Sequence, residues 1–180
     1  MVYLFLADGF EEIEGLTVVD LLRRAEIKIT TVSVTGRLKI AGAHGINVEA
    51  DELFENLDFE NGKMLVLPGG MPGTKNLAAH KGLVKLLKRF REEDKALAAI
   101  CAAPSILGEN GLLEGKEATC FPGFEEKLHG AAVTGARAVT DGNIITGKGM
   151  GTAIDFSLEI IRFLKENETA ERIGKSIQYF

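Results

Sequence analysis

A single cysteine, Cys101, lies in the stretch ALAAICAAPSIL where two different patterns meet. Residues 96–100 are a short apolar run that predicts a buried strand, and residues 102–108 predict the start of a helix. Because a helix N-terminus stabilises a thiolate, we expect a lowered pKa for Cys101, and a sharp strand-to-helix turn would present its sulfur as a nucleophile. This window alone leaves open the alternative that Cys101 only fills the core.

Glu14 is the second residue with a pattern that suggests chemistry. Apolar residues follow it at i+4, i+7 and i+11, so its carboxylate is expected on the helix face that meets the sheet, where it must be protonated or partnered. This helix follows the first strand, and its start should therefore lie at the same carboxyl edge of the sheet as Cys101. Glu14 could serve there as a general acid and base, or it could only favour its helix N-terminus, as Glu11 and Glu12 would.

Two glycine-containing segments are candidates for loops around this edge. In VLPGGMPGTKNL, the amides of Gly69 and Gly70 could hold a developing oxyanion, although a Pro-Gly-Gly sequence is also a common turn. In TGKGMGTAID, the glycine spacing does not match a dinucleotide fingerprint, so we expect no nicotinamide cofactor. Lys148 and Gly149 are instead expected to line the crevice, and Thr152 is expected to cap the helix that follows.

The three histidines offer no clear base for a cysteine hydrolase. His44 falls in a predicted hairpin, His80 between two helical stretches and His129 in a loop, and each is expected at the surface. The thiol of Cys101 would then depend on its helix and on Glu14 for activation.

The elements that must position these residues follow an alternating order. Apolar runs such as VYLFLA, MLVLPGG and ALAAI alternate with amphipathic stretches, which predicts βαβ units on a parallel sheet. The segments TGRLKIAGAHGINVEA and ARAVTDGNIITG each predict a hairpin, and GTAIDFSLEIIRFLKENE predicts a mostly buried helix. We therefore expect an open α/β sandwich with its ligands at the carboxyl ends of the strands.

The composition of the chain indicates which cellular compartment and which kinds of partner to expect. The 180 residues are 46% apolar, enough for one domain spanning 1–180, and the net charge of -5 with interspersed charges argues against nucleic acid as a partner. MVYLFLAD resembles a first strand more than a signal peptide, no apolar run reaches a membrane-spanning length, and we expect a cytoplasmic protein. Cys101 and Cys120 form neither a disulfide framework nor a metal-ligand spacing, so no metal is expected.

Three motifs together, GFEEIE before a helix, LPGGMPG after a strand and AICAAP at an elbow, resemble the ThiJ/PfpI superfamily. They are most similar to its branch that contains the human parkinsonism-linked oxidative-stress protein and bacterial YajL, and the resemblance covers nearly the whole chain. It implies a flavodoxin-like, three-layer α/β/α sandwich with a mostly parallel central sheet, similar to class I glutamine amidotransferases. It also implies a homodimer.

The resemblance assigns Cys101 as the reactive cysteine and Glu14 as a protonated glutamate bonded to its sulfur. It places the amides around Gly69, Gly70 and Ala102 in an anion pocket. The implied activity is a cofactor-independent glyoxalase or protein deglycase acting on methylglyoxal, glyoxal or early glycation adducts of protein side chains. The alternative is an oxidative-stress sensor or redox-regulated chaperone without significant turnover.

The chain departs from other members of the superfamily at four positions. The protease-like branch has a histidine directly after its nucleophile, where this chain has Ala102, so a cysteine peptidase is not expected. Phe121 lines the pocket in place of a histidine of the human protein, and His44 stands near an arginine used in dimers of the human type. Cys120, beside Phe121, could be a resolving second thiol or a passive buried cysteine.

Overall fold

The computed structural model describes all residues, 1–180, and contains eleven strands and six α-helices. In chain order these are β1 Val2–Leu6, α1 Glu12–Arg24, β2 Ile29–Ser33, β3 Lys39–Ala41, β4 Asn47–Glu49, β5 Glu52–Leu53, β6 Met64–Leu67, α2 Gly73–Ala79, α3 Lys81–Glu92, β7 Ala96–Ile100, α4 Pro104–Glu109, β8 Glu117–Ala118, β9 Ala132–Val133, β10 Ala138–Asp141, β11 Ile144–Gly147, α5 Ala153–Leu164 and α6 Asn167–Ser176.

A seven-stranded sheet forms the centre, with strand order β10-β11-β7-β6-β1-β2-β5. All neighbouring strands in it are parallel except β10, which pairs antiparallel with β11. Helices α1, α5 and α6 pack on one face, and helices α2, α3 and α4 on the other. This is the predicted flavodoxin-like, three-layer α/β/α sandwich, and the βαβ alternation of the sequence is confirmed.

An apolar core lies on each face of the sheet, and alternate side chains of each buried strand point into one core or the other. In β1, Val2, Leu4 and Leu6 belong to the core beneath α1 and α5, whereas Tyr3 and Phe5 belong to the core beneath α3. Strands buried on both faces need to be apolar at every position, which explains the continuous apolar runs in the sequence. None of the six helices combines the length and the apolar character that crossing a membrane requires.

Both predicted hairpins form. β3 pairs antiparallel with β4 outside the main sheet, and β10 and β11 turn at Gly142 to close its edge. The predicted helix after Gly151 is α5, and its side chains at Phe156, Leu158 and Ile160 are buried, but Phe163 is exposed on the outer side.

Thr152 occupies the predicted N-cap position of α5, but the capping hydrogen bond from its side chain does not form. Thr152 ends a single 3₁₀ turn that precedes α5, and its Oγ1 bonds backwards, donating to the carbonyl of Gly149 at 2.9 Å and accepting from the Gly149 N–H at 3.2 Å. The hydroxyl therefore closes the loop before the helix and satisfies no amide of the helix itself.

Candidate active site

Cys101 lies at an elbow directly after β7, in the left-handed region with φ +66°. Its N–H donates to the Gly147 carbonyl of β11 at 2.9 Å, and its carbonyl accepts from the Phe121 N–H at 2.9 Å. A non-glycine residue in this region costs about 1 to 3 kcal/mol and persists only where its surroundings enforce it. The two backbone bonds supply that restraint, and the side chain stays partly accessible.

Glu14 lies in the first turn of α1 and is 1% exposed, as its helical spacing predicted. Its Oε2 accepts a hydrogen bond from the Gly69 N–H at 2.8 Å, and its carboxyl faces the thiol of Cys101. Its other oxygen, Oε1, is buried and has no hydrogen-bond partner. An unpartnered buried carboxylate oxygen is costly, so this carboxyl is poised to bind a proton or a polar substrate group.

Gly69 and Gly70 bring β6 close to the elbow. A Cβ on Gly69 would lie 2.6 Å from both the Cβ of Cys101 and Oε2 of Glu14, so only glycine fits between the two side chains. Gly70 has φ +91°, and its N–H and that of Ala102 interact with the Cys101 sulfur. The Gly69 N–H is bonded to Glu14, so this amide positions the carboxyl. Of the three amides predicted to hold an anion, those of Gly70 and Ala102 are the two that face the sulfur.

The electrostatics couple the two side chains. Burial, together with the negative charge of Glu11, raises the pKa of Glu14 to about 7. Burial and the neighbouring Glu14 carboxylate raise the pKa of the Cys101 thiol to about 12, against the stabilising amides of Ala102 and Gly70. A thiolate is therefore disfavoured while Glu14 is ionised, and protonation of Glu14 removes that repulsion.

The predicted lowering of the Cys101 pKa is thus wrong. The expectation relied on a helix that starts at Ala102, but α4 begins at Pro104, is six residues long and opens with a residue that has no N–H. The buried Glu14 carboxylate and desolvation outweigh the local amides.

Of the remaining predicted pocket residues, only some lie beside Cys101. The ring of Phe121 is half-exposed and packs so closely on Gly149 that a Cβ there would lie 3.2 Å from the ring. Lys148 is held elsewhere, because its Nζ donates to the Gly135 carbonyl at 3.3 Å. The structure therefore places Phe121 and Gly149 together beside the elbow, whereas the Lys148 ammonium is directed to another loop.

Cys120 is a core residue in this structure. It is 4% exposed, packs in the same apolar core as Ala103 and Ile106, and is free, as Cys101 is. Burial and the nearby Glu125 raise the pKa of its thiol to about 11. These features favour the passive buried cysteine over the resolving thiol.

None of the histidines contacts Cys101. His80 accepts a hydrogen bond from the Leu83 N–H at 3.0 Å and caps α3, and His129 is exposed. His44 contacts the carboxylate of Glu12, which the sequence placed only as a helix-terminal charge. That contact joins residues 32 positions apart and left no local signal in the sequence.

The fold and this geometry define a class: a flavodoxin-like α/β protein with a cysteine on a strained elbow and a buried carboxyl facing it. A model of the DJ-1/PfpI family matches residues 1–163. The chain therefore belongs to the DJ-1/PfpI family, and it falls in the DJ-1 branch that the sequence motifs resemble.

Individual relatives agree with this assignment. Protein DJ-1 homolog A of Arabidopsis thaliana is 36% identical over 95% of this chain, and the chain spans less than half the length of both Arabidopsis relatives that it matches. A protein of Pyrococcus abyssi named as a deglycase is 30% identical over 91% of this chain and 99% of its own. The structure of oxidized Toxoplasma gondii DJ-1 superposes with a TM-score of 0.92 at 31% identity, covering 98% of this chain and 97% of that chain.

Proposed function

We propose that this protein is a cofactor-independent glyoxalase and protein deglycase, with Cys101 as nucleophile and Glu14 as general acid and base. The observation that carries the proposal is the buried Glu14 carboxyl, which faces the thiol and keeps one oxygen unpaired. The substrates are small reactive carbonyls, methylglyoxal and glyoxal, and early glycation adducts on protein side chains. The similarity to a protein named as a deglycase supports this substrate class.

In the first step the Cys101 sulfur adds to the aldehyde carbon of the substrate. The thiol proton passes through Glu14 to the former carbonyl oxygen, so a hemithioacetal forms without a net change in charge. While negative charge develops on that oxygen, the N–H groups of Gly70 and Ala102 stabilise it. Passing the proton through Glu14 avoids a free thiolate beside an ionised carboxylate.

In the second step Glu14 takes the proton from the sulfur-bearing carbon and returns it to the adjacent carbon. The electron pair of the broken C–H bond makes an enediolate, and the hydroxyl proton on the sulfur-bearing carbon passes to the new oxyanion on the adjacent carbon. Protonation of that adjacent carbon by Glu14 then re-forms a C=O bond at the sulfur-bearing carbon and leaves a thioester of the 2-hydroxy acid. Water then hydrolyses the thioester, releases lactate from methylglyoxal or glycolate from glyoxal, and restores the thiol. Every proton in this sequence moves on groups that the protein or the substrate supplies.

The proposal also covers the cellular compartment and the oligomeric state of the enzyme. Two free thiols favour a reducing compartment, and we place the activity in the cytoplasm of the cell. We place the chain in a homodimer because apolar side chains remain exposed on one side of α1 and the adjoining hairpin, notably Ile13, Leu16 and Ile46. A cysteine peptidase is disfavoured because Ala102 follows the nucleophile and no histidine contacts it.

A second candidate function is an oxidative-stress sensor or redox-regulated chaperone in which Cys101 is oxidised. The same amides of Gly70 and Ala102 could hold sulfinate oxygens, and a protonated Glu14 could donate to one of them. One similar structure is that of an oxidized protein, which supports this alternative. The two candidates differ in whether the protein turns over a carbonyl substrate.

The test compares the two thiols of the chain. Purified wild-type protein, Cys101→Ser and Cys120→Ser are incubated with methylglyoxal in the absence of glutathione, and lactate is measured by an enzyme-coupled assay. We expect turnover in wild type and in the matched control Cys120→Ser, and none above background in Cys101→Ser. Equal lactate formation by wild type and Cys101→Ser would rule out the enzyme and leave the redox candidate.

A further inference from the structure

A group of side chains that could act as metal ligands lies outside the candidate active site. Glu11, Glu12 and His44 each offer one ligand atom, and these atoms all lie within 4.8 Å of one another. The Nδ1 of His44 lies 3.0 Å from Oε2 of Glu12 and 3.4 Å from Oε2 of Glu11. The Glu12 side chain is 4% exposed and that of His44 is 68% exposed. The cluster is therefore buried on the Glu12 side and open to solvent on the His44 side.

The backbone builds this cluster from two distant segments. The β3–β4 hairpin loop lies against the start of α1, where the Ala43 N–H donates to the Phe10 carbonyl at 2.9 Å. The Glu12 carboxylate occupies the space where a side chain on Gly42 would lie. Glycine at this position therefore lets the carboxylate reach beneath the loop, and the loop in turn holds His44 over it.

The hydrogen bonds of Glu12 fix one of its oxygens and leave the other directed at the imidazole. Oε1 accepts from the N–H groups of His44 at 2.8 Å and of Ile46 at 3.4 Å. Oε2 lies 3.0 Å from the ring nitrogen Nδ1 of His44. The oxygen that could bind an ion is thus held in place by its rigidly bonded partner oxygen.

We propose that Glu11, Glu12 and His44 bind a divalent transition-metal ion of the zinc type. Tetrahedral zinc with nitrogen and oxygen ligands at 2.0 to 2.1 Å sets its ligands about 3.3 Å apart. The separations of 3.0 and 3.4 Å around His44 Nδ1 are close to that spacing, and the Glu11 and Glu12 ligand atoms lie within 4.8 Å of each other. Two carboxylates neutralise the ion, and the imidazole favours zinc over magnesium or calcium. The side of the cluster that is open in the single chain offers a fourth position to water or to a ligand from the second chain of the proposed homodimer.

The ion is not a reactant in the proposed function, because none of its ligands faces the substrate carbonyl. Its effect is to cross-link the β3–β4 hairpin to α1 through one ligand from the hairpin and two from the helix start. Binding to the folded chain alone should therefore raise its thermal stability in proportion to the logarithm of the free ion concentration.

The test titrates the full chain with Co²⁺, a coloured substitute for Zn²⁺, and follows visible absorption. We expect one Co²⁺ per chain with the intense bands of a tetrahedral site, and at least tenfold weaker binding in both His44→Gln and Glu11→Gln. His129→Gln is the matched control, because His129 is exposed and far from the cluster in sequence. In parallel, Zn²⁺ should raise the thermal midpoint of wild type and of His129→Gln but not that of His44→Gln.

Three results would overturn the proposal. Wild type could show no saturable binding of Co²⁺, or either His44→Gln or Glu11→Gln could bind it as tightly as wild type. A sulfur-to-cobalt charge-transfer band would place the ion on a cysteine instead. Circular dichroism of each variant verifies its fold, and both substituted side chains are outside the apolar cores.

Discussion

Glu12 and Glu14 lie two residues apart at the start of α1, and both are almost completely buried, yet their environments differ. The Glu12 carboxylate is surrounded by donors, namely two backbone N–H groups of the hairpin loop and the imidazole of His44. Glu14 accepts one backbone hydrogen bond at Oε2, and its Oε1 has none. The two residues also point to opposite partners, since one holds the hairpin and the other faces the Cys101 thiol.

Their pKa values move in opposite directions as a result. Burial opposes ionisation of Glu12, but its hydrogen bonds, including those from His44, outweigh it and hold its pKa below the ordinary value. For Glu14, burial dominates and raises the pKa to about 7. Burial alone therefore does not make a carboxyl reactive; the number of donors aimed at it determines whether it is a structural anion or an exchangeable acid.

The largest expected effect is on turnover, and it tests whether Glu14 acts as an acid and base or only as a packing residue. Glu14→Gln keeps the size and an acceptor for the Gly69 N–H but cannot exchange a proton, so methylglyoxal turnover should fall about 10²- to 10⁴-fold. Alkylation of Cys101 by iodoacetamide, measured by mass spectrometry, should still proceed and serves as a control for an intact site. Turnover within threefold of wild type would remove Glu14 from the mechanism.

The next effect is on stability and depends on pH. A carboxyl whose pKa is higher in the folded chain binds more protons there, so its contribution to stability falls as pH rises from about 4.5 to about 7. The loss amounts to at most about 3 kcal/mol. Glu14→Gln should therefore be more stable than wild type at pH 8 and show little gain at pH 4.5, as measured by urea unfolding. A constant difference across this range would contradict the raised pKa.

Glu12→Gln should change stability in the opposite direction. It weakens charge-assisted hydrogen bonds to a buried carboxylate, which typically costs about 1.5 to 3 kcal/mol. Urea unfolding at pH 7 measures this loss. Glu168→Gln is the matched control, because Glu168 is an exposed acidic residue in the first turn of α6. Similar losses in both variants would show that Glu12 acts only as a helix-terminal charge.

The smallest expected effect comes from His44→Gln without added metal. This change removes the imidazole but leaves the two backbone N–H groups on Oε1 of Glu12. The thermal midpoint should therefore fall by less than half of the drop in Glu12→Gln, as followed by differential scanning calorimetry. A drop as large as that of Glu12→Gln would mean that the imidazole, and not the loop backbone, holds the carboxylate.

The sequence predicted where Cys101 and Glu14 lie in the fold, because local patterns determine both positions. The apolar run before Cys101 and the small residues after it indicate a strand and a turn, and the apolar spacing after Glu14 indicates its buried face. The burial of Glu12 was missed because it lies on another side of α1, which is covered by a hairpin loop that begins about 30 residues later. The apolar periodicity of a helix does not show which of its polar residues will be buried by a segment from elsewhere in the chain.

The sequence by itself determined the alternation of strands and helices, the elbow at Cys101 and the inward face that carries Glu14, because each depends on a pattern within one segment. Tertiary structure alone decided the raised pKa of Cys101, the orientation of Lys148 toward Gly135 and the approach of His44 to Glu12. These properties depend on desolvation and on charges and donors brought together from distant segments, which exist only once the chain has folded.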